Sequence, residues 1–222
     1  MLLGLDVGGT FTDAVIIDGH RVVATAKRRT TKDNLMNGIG EALDAVLEGY
    51  DTSNIEQVTL STTVVTNTIV EEKEQVVDLY VVTGPGRNVD DIFPVKPIYL
   101  QGYTDHRGIV VEHTPADAVR GIANMVQARS GTDLAAVSAK FGVRNPQEEL
   151  SITEELKNTY HVISNGSLLS GSLNFPRRTI SAYFNSAVTP VFTVFKKNVE
   201  DALSARNIVA PLHILKADGG SL

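Results

Sequence analysis

Leu2-Leu3-Gly4-Leu5-Asp6-Val7-Gly8-Gly9-Thr10-Phe11-Thr12-Asp13-Ala14-Val15-Ile16-Ile17-Asp18 is the stretch whose reading decides the fold. A short, nearly continuous apolar run meets two glycines, which suits a buried strand entering a tight turn. The residues from Phe11 to Asp18 read as a returning strand. Asp18-Gly19 signals a second turn, and Arg21–Arg29 reads as a third strand. Gly8 and Gly9 let the backbone turn sharply and leave no Cβ to block a ligand. Successive amides in such a turn form a concave nest for an anion. The hydroxyls of Thr10 and Thr12 are expected to add donors on the same side. Asp6 would repel a phosphate directly, so its expected role is to hold a hydrated Mg²⁺, which keeps several waters and takes one or two carboxylates. The pattern is not a dinucleotide fingerprint, because Gly-x-Gly-x-x-Gly leading into a helix is absent. It is not a P-loop either, because no Gly-Lys-Ser/Thr follows.

Outward from this hairpin the chain alternates strands and helices. Apolar residues from Leu35 to Leu47 recur at helical spacing, with Asp33 or Asn34 as cap and Gly49 as stop. A strand at 57–60 feeds the polar turn Ser61-Thr62-Thr63, and 64–72 reads as a short helix. Another strand ends in Gly84-Pro85-Gly86. Thr114-Pro115 opens a helix to about Arg129, with Pro at its first position. Asn145-Pro146 opens an acidic one to about Tyr160, and 176–206 is the longest helical stretch, bent or broken near Pro190. The strand Pro211–Lys216 ends in Asp218-Gly219-Gly220. The alternation is α/β, with units expected at 1–95 and 96–222 and a boundary near Pro94 and Pro97.

The composition bounds the function. The chain has 222 residues, 42% of them hydrophobic, a formal net charge of −6 and no cysteine. No thiolate metal site or disulfide is possible. The acidic balance argues against nucleic acid or an anionic membrane as partner. Lys27-Arg28-Arg29 reads as a solvated strand end. No segment approaches the ~20 apolar residues of a membrane span, the opening residues do not read as a signal peptide, and a cytoplasmic protein is expected. His20, His106, His113, His161 and His213 are scattered without metal-ligand spacing. Ser164 and Ser167 around Asn165-Gly166 lack a nucleophile elbow and read as a turn. Asp90-Asp91 reads as a helix start and Glu148, Glu149, Glu154 and Glu155 as a solvated helix face. The stripe Tyr183, Val191, Phe192 and Phe195 reads as core, or as a surface covered by a further domain.

The opening stretch resembles that of the hydantoinase A and 5-oxoprolinase family, which shares the actin-like ATPase (ribonuclease H-like) fold. Further segments resemble the family in order: Ser61 to Glu71, with Thr62, Thr63 and Asn67; Asn145 to Glu149; Arg178 to Val191; and Leu212 to Leu222, with Asp218-Gly219-Gly220. The resemblance implies the N-terminal half of that fold, a mixed sheet flanked by helices and incomplete here. It implies ATP and Mg²⁺ as cofactors and a phosphoryl group that activates the carbonyl of a cyclic amide such as a hydantoin or 5-oxoproline. Asp6 and Thr10 would then be catalytic, with Asp6 on the metal. Gly8, Gly9, Thr10, Thr12, Asp218, Gly219 and Gly220 would bind the nucleotide, and Thr62, Thr63 and Asn67 would line the substrate cleft. Arg178 and Asn185 match a family helix, in packing or in the cleft. A second hydantoinase-type subunit is implied as partner.

Two segments depart from the family pattern. Glu148 stands where the family often has His, and Gly84-Pro85-Gly86-Arg87-Asn88 replaces a Gly-Phe-Arg-Asp loop. Family members run further and carry a second Asp-x-Gly-Gly-Thr loop, so the chain is expected to be a fragment that alone binds ATP weakly and catalyses nothing. Three alternatives stand beside the amide hydrolase: a carbonyl-activating carboxylase of the same family, a small-molecule kinase with Asp218 as its candidate base, and an actin-like switch without catalysis.

Overall fold

The computed structural model describes residues 1–31, 35–86, 89–216 and 220. The chain forms two compact units, one of residues 1–73 with 191–222 and the other of 74–190.

The first unit is built on the opening hairpin. Strands β1 (Leu2–Val7), β2 (Phe11–Asp18) and β3 (Arg21–Arg29) form an antiparallel meander. Helix α1 (Leu35–Leu47) follows and ends before Gly49, whose φ of +81° suits a residue without Cβ. The expected caps Asp33 and Asn34 lie outside the described residues. Strand β4 (Gln57–Thr62) then pairs with β1 in parallel, and the short helix α2 (Val64–Val70) leaves its end. Strict alternation sends Leu3, Leu5 and Val7 of β1, and Val58 and Leu60 of β4, to one face. There they pack against Ile39, Leu43 and Val46 of α1.

The second unit carries strands β5 (Asp78–Val82), β6 (Ile98–Tyr99), the small hairpin β7 (Tyr103–Thr104) and β8 (Val110–Glu112), helix α3 (Ala116–Ser130), strand β9 (Leu134–Ala139), helix α4 (Gln147–Leu156), strand β10 (Val162–Asn165) and the single turn α5 (Gly166–Leu169). Its sheet runs β10-β9-β5-β6 and is parallel throughout. β5 and β9 are buried along their whole lengths, as expected of strands covered on both faces. α3 and α4 cover one face through Val119, Ala123, Ile152 and Leu156. Helix α6 (Phe175–Ser204) contributes Phe175, Ala182, Tyr183 and Ala187 to the other.

α6 also explains why the expected boundary at residue 95 does not hold. Beyond Pro190, its residues Phe195, Val199 and Leu203 join the core of the first unit. Strand β11 (Leu212–Ile214) then pairs in parallel with β4. The first sheet is therefore β11-β4-β1-β2-β3, and residues 74–190 are inserted between its fourth and fifth strands. Pro94 and Pro97 lie inside the insertion. No proline-marked linker separates the units, because the return runs through a helix. Pro190 sits inside that helix, which is continuous rather than broken.

Other expectations shift by a few residues. Pro115 caps α3 instead of occupying its first turn, and α4 stops at Leu156 instead of Tyr160. Asp90-Asp91 opens a 3-10 turn. The stripe Tyr183, Phe192 and Phe195 is core, divided between the two units.

The turn between β7 and β8 is set by one carboxylate. Asp105 accepts hydrogen bonds from the amides of Arg107 and Ile109 at 2.8 and 2.9 Å and from Arg107 Nε at 2.9 Å. The Ile109 amide, with Arg107, holds its carboxyl down to about 2. A depressed folded-state value stabilises above the unfolded value of about 3.9 and is lost as pH falls. The turn should therefore stay ordered at pH 4 and loosen as pH approaches 2, read as loss of protection of the Ile109 amide. Asp105→Asn should bring the loosening to neutral pH.

Candidate functional site

β1, β4 and β11 run parallel, so their carboxyl ends lie along one edge of the first sheet. That edge gathers most of the residues singled out in the sequence. The hairpin Gly8-Gly9-Thr10 closes through the Gly8 amide, which donates to Phe11 O at 3.0 Å. Neither glycine has positive φ. Close approach favours them instead: a Cβ on Gly8 would meet Phe11 O at 3.1 Å, and one on Gly9 would meet Asn67 Nδ2 at 3.2 Å, so a neighbour would have to give way. The Gly9 and Thr10 amides have no acceptor among the described residues. Both residues are exposed, so two backbone donors are left available to a ligand, as an anion nest needs.

Thr30 fixes this loop. Its amide donates to Thr10 O at 2.9 Å and its hydroxyl to Gly8 O at 2.9 Å. Sequence reading missed it, since a threonine after a basic strand end carries no signal until the strand register is known. Thr12 must be corrected. It faces the core, wholly buried, with its hydroxyl 3.1 Å from that of Thr30. Two residues into β2, pleating has already turned it inward. Its part is to hold Thr30, and it offers nothing to a ligand.

The turn after β4 packs beside the loop. Thr62 Oγ1 donates to Val7 O at 3.2 Å and accepts from the Val64 amide at 3.2 Å. Asn67 Nδ2 donates to Thr63 Oγ1 at 3.3 Å. Gly8, Gly9, Thr10, Thr62, Thr63 and Asn67 line one hollow of about 400 Å³. At the end of β11, the Lys216 amide donates to Gly220 O at 2.8 Å. Asp218 and Gly219 lie outside the described residues.

Asp6 is not in that hollow. Alternation along β1 puts it on the opposite face from Val7, in a second hollow of about 440 Å³ with Asp13, Lys27 and Ser61. The register makes Ser61, Asp6, Asp13 and Lys27 consecutive neighbours across four strands. Lys27 Nζ binds both oxygens of Asp13 at 3.0 and 3.1 Å. The Asp6 carboxylate is exposed and has no partner among the described residues. One carboxylate of the pair is thus neutralised and the other left available. No group of three or more metal-ligating side chains occurs among the described residues. A lone exposed carboxylate suits a magnesium ion that keeps most of its waters, but Asp6 opens into a different hollow from the one that Gly8, Gly9 and Thr10 line.

The sequence of this edge has known counterparts. The profile of the hydantoinase/oxoprolinase N-terminal region matches residues 2–160. The chain belongs to the hydantoinase/oxoprolinase family. Its fold is similar to that of acetone carboxylase in nucleotide-free form, at 17% identity and a TM-score of 0.79, with the whole chain covering 37% of that one. It is also similar to the ATP-dependent caprolactamase from Pseudomonas jessenii, at 17% identity and a TM-score of 0.77, covering 36% of that chain. The hydantoinase-family chain thus spans just over a third of the length of these structures. At such identity the likeness establishes the fold alone. No curated protein matches it in sequence. Among the described residues, no helix is long and apolar enough to cross a membrane.

In the second unit, two expectations are revised. Glu148 and Glu149 are wholly buried, unlike the exposed Glu154. Glu148 takes His113 Nδ1 at 2.6 Å and the Thr114 amide at 2.9 Å. Glu149 takes the amides of Ala139 at 2.7 Å and Ser167 at 2.8 Å, and the Ser167 hydroxyl. Arg178, also wholly buried, donates to Ala139 O at 3.0 Å and Ser172 O at 2.7 Å. It is a packing residue. Asn185 is exposed and donates to Ser164 Oγ at 2.9 Å.

Proposed function

We propose that this chain carries one phosphate-binding half of an enzyme that uses ATP and Mg²⁺ to open a cyclic amide of the hydantoin or 5-oxoproline type. The observation that carries the reading is the pair of amides without an acceptor among the described residues, at Gly9 and Thr10, which line one hollow with Thr62, Thr63 and Asn67. In this reading Gly8, Gly9 and Thr10 hold the terminal phosphates, Asp6 holds the magnesium through water, and Thr63 and Asn67 face the reacting group. Asp218, Gly219 and Gly220 are proposed as further nucleotide-binding residues. Bound there, ATP supplies a phosphoryl group that makes an inert amide carbonyl open to water. The chain's residues contribute position and charge neutralisation. A second hydantoinase-type subunit is the proposed partner, and the cyclic amide the proposed substrate. Family membership supports the reading, and so does the lactam-opening, ATP-dependent caprolactamase among the similar folds.

The similarity to acetone carboxylase favours a second reading, in which ATP activates a carbonyl oxygen for carboxylation. Products separate the two: a ring-opened acid from a lactam, or a new carboxylate on a ketone. The primary test is calorimetric titration of Mg·ATP into this chain and into a form extended downstream. Clear magnesium-dependent binding to the extended form, lost by at least about tenfold in Gly9→Val, is expected, since a side chain there blocks the approach of phosphate to the amides. Binding that ignores Gly9→Val would remove the hairpin from the site.

A further inference from the structure

The hollow that holds the Gly9 and Thr10 amides has a charged wall as well as a bare backbone. Thr63, Asn67 and Glu71 stand four residues apart, so they follow one another along one face of α2. Asn67 lies against Gly9, where a Cβ would meet its Nδ2 at 3.2 Å. Glu71 stands one turn further on, about 5.4 Å along the axis, and also lines the hollow. Its Oε2 accepts from the Lys73 ammonium at 2.6 Å. Lys73 is itself part of the lining, and it is the one cation among the described residues that form it.

A strained turn brings Lys73 there. α2 ends with the Glu72 amide donating to Ile69 O at 3.1 Å and the Lys73 amide to Thr68 O at 2.9 Å. These are the paired bonds of a helix end that reverses through a left-handed residue, a position glycine usually takes. Glu72 takes it here, with φ of +54°. Strain of this kind persists only where the surroundings impose it, and it gathers at ligand sites. The reversal folds Lys73 back beside the last turn of α2.

The charges in the hollow call for that cation. A phosphate on the Gly9 and Thr10 amides would meet the like charge of Glu71 on the same wall, while Asp6, the candidate magnesium residue, opens into the other hollow. The Lys73 and Glu71 side chains are 71% and 49% exposed, and an exposed ion pair holds its members weakly. Lysine carries a compact charge on a flexible stem and suits phosphate as a point charge. Exchanging a carboxylate oxygen for a phosphate oxygen therefore costs the ammonium little.

We propose that Lys73 is a phosphate-binding residue of this hollow, held by Glu71 while the hollow is empty and passed to the phosphate when one enters. The proposal rests on the nucleotide reading of the hollow. It adds one ligand residue and one carboxylate that competes with the ligand for it. The two members of a single ion pair should then affect binding in opposite directions.

The test is an NMR titration of the ¹⁵N-labelled chain with pyrophosphate in the absence of Mg²⁺. Pyrophosphate should shift the amides of Gly9, Thr10 and Lys73 saturably. Lys73→Met should weaken binding about three- to tenfold, the scale of an exposed charge-assisted hydrogen bond, while the spectrum keeps its dispersion. Lys73→Arg should keep most of the affinity. Glu71→Gln should tighten binding about two- to threefold, because it frees the ammonium and removes a like charge. Lys157→Met removes another ion-paired surface lysine, in the second unit, and should leave binding unchanged. An ion pair that only stabilises the helix end would give losses for both Lys73→Met and Glu71→Gln. Losses in both, an equal loss in Lys157→Met, or wild-type binding by Lys73→Met would each overturn the role of Lys73 and leave the Gly9 and Thr10 amides as the phosphate site. No shift at Gly9 and Thr10 in the wild-type chain would remove the phosphate site and the role of Lys73 together.

Discussion

Glu149→Ala should cost the second unit about 3–5 kcal/mol, the scale for removing one member of a buried charged set. Glu149 satisfies the amides of Ala139 and Ser167 and the Ser167 hydroxyl. Its loss leaves those donors buried without acceptors, at about 1–3 kcal/mol each if no water enters. It also removes the negative charge facing Arg178. Burial pulls the Arg178 guanidinium below its usual value, and the Glu149 charge pushes it back up. Glu149→Gln keeps an acceptor and should fall between wild type and alanine. Glu154→Ala, on the exposed face of the same helix, should stay within about 0.5 kcal/mol of wild type. Hydrogen exchange at Ala136 and Val137 reports the second unit separately, which a global melt of a two-unit chain does not. A loss below about 1 kcal/mol for Glu149→Ala would mean that water reaches the carboxylate.

The contrast between Glu149 and Glu154 shows where the sequence stops being legible. Both lie in an acidic helix, and local composition treats them alike. What separates them is which face meets β9, and that depends on how the helix docks on the sheet and not on local composition. Thr12 shows the same limit at shorter range. It follows the glycines and has a hydroxyl, yet pleating turns it inward while Thr10 stays out in the loop. By contrast, the opening meander was legible, because its turns are written in Gly-Gly and Asp-Gly and the strands between them are short runs rich in apolar residues. The order β11-β4-β1-β2-β3 was not, since β11 returns after an insertion of more than a hundred residues. The insertion also hid the unit boundary. The chain passes from one unit to the other inside α6, and Pro190 there marks no linker.

Asp6 is the residue on which the catalytic reading turns, and its surroundings predict how mutations there should differ from those next door. Ser61, Asp6, Asp13 and Lys27 are neighbours in one row across the sheet. Lys27 already neutralises Asp13, so Asp13→Asn removes a charge that has its counter-ion and should lower ATP-driven turnover of an extended, active form only a few-fold. Asp6 has no partner among the described residues. If it orients a magnesium ion through water, Asp6→Asn should cost about 10–100-fold in activity, the usual scale for groups that act on a metal through its bound waters. The loss should appear as a raised magnesium requirement, and excess Mg²⁺ should recover part of it. A structural carboxylate would behave otherwise, lowering stability at every magnesium concentration. Lys27→Met sharpens the comparison. It frees Asp13 to join Asp6, so magnesium should bind more tightly in the absence of nucleotide, read by the relaxation of Mn²⁺ as a probe. If Asp6→Asn and Asp13→Asn instead prove equal, the row acts as an undivided patch of charge, and Asp6 has no separate hold on the metal.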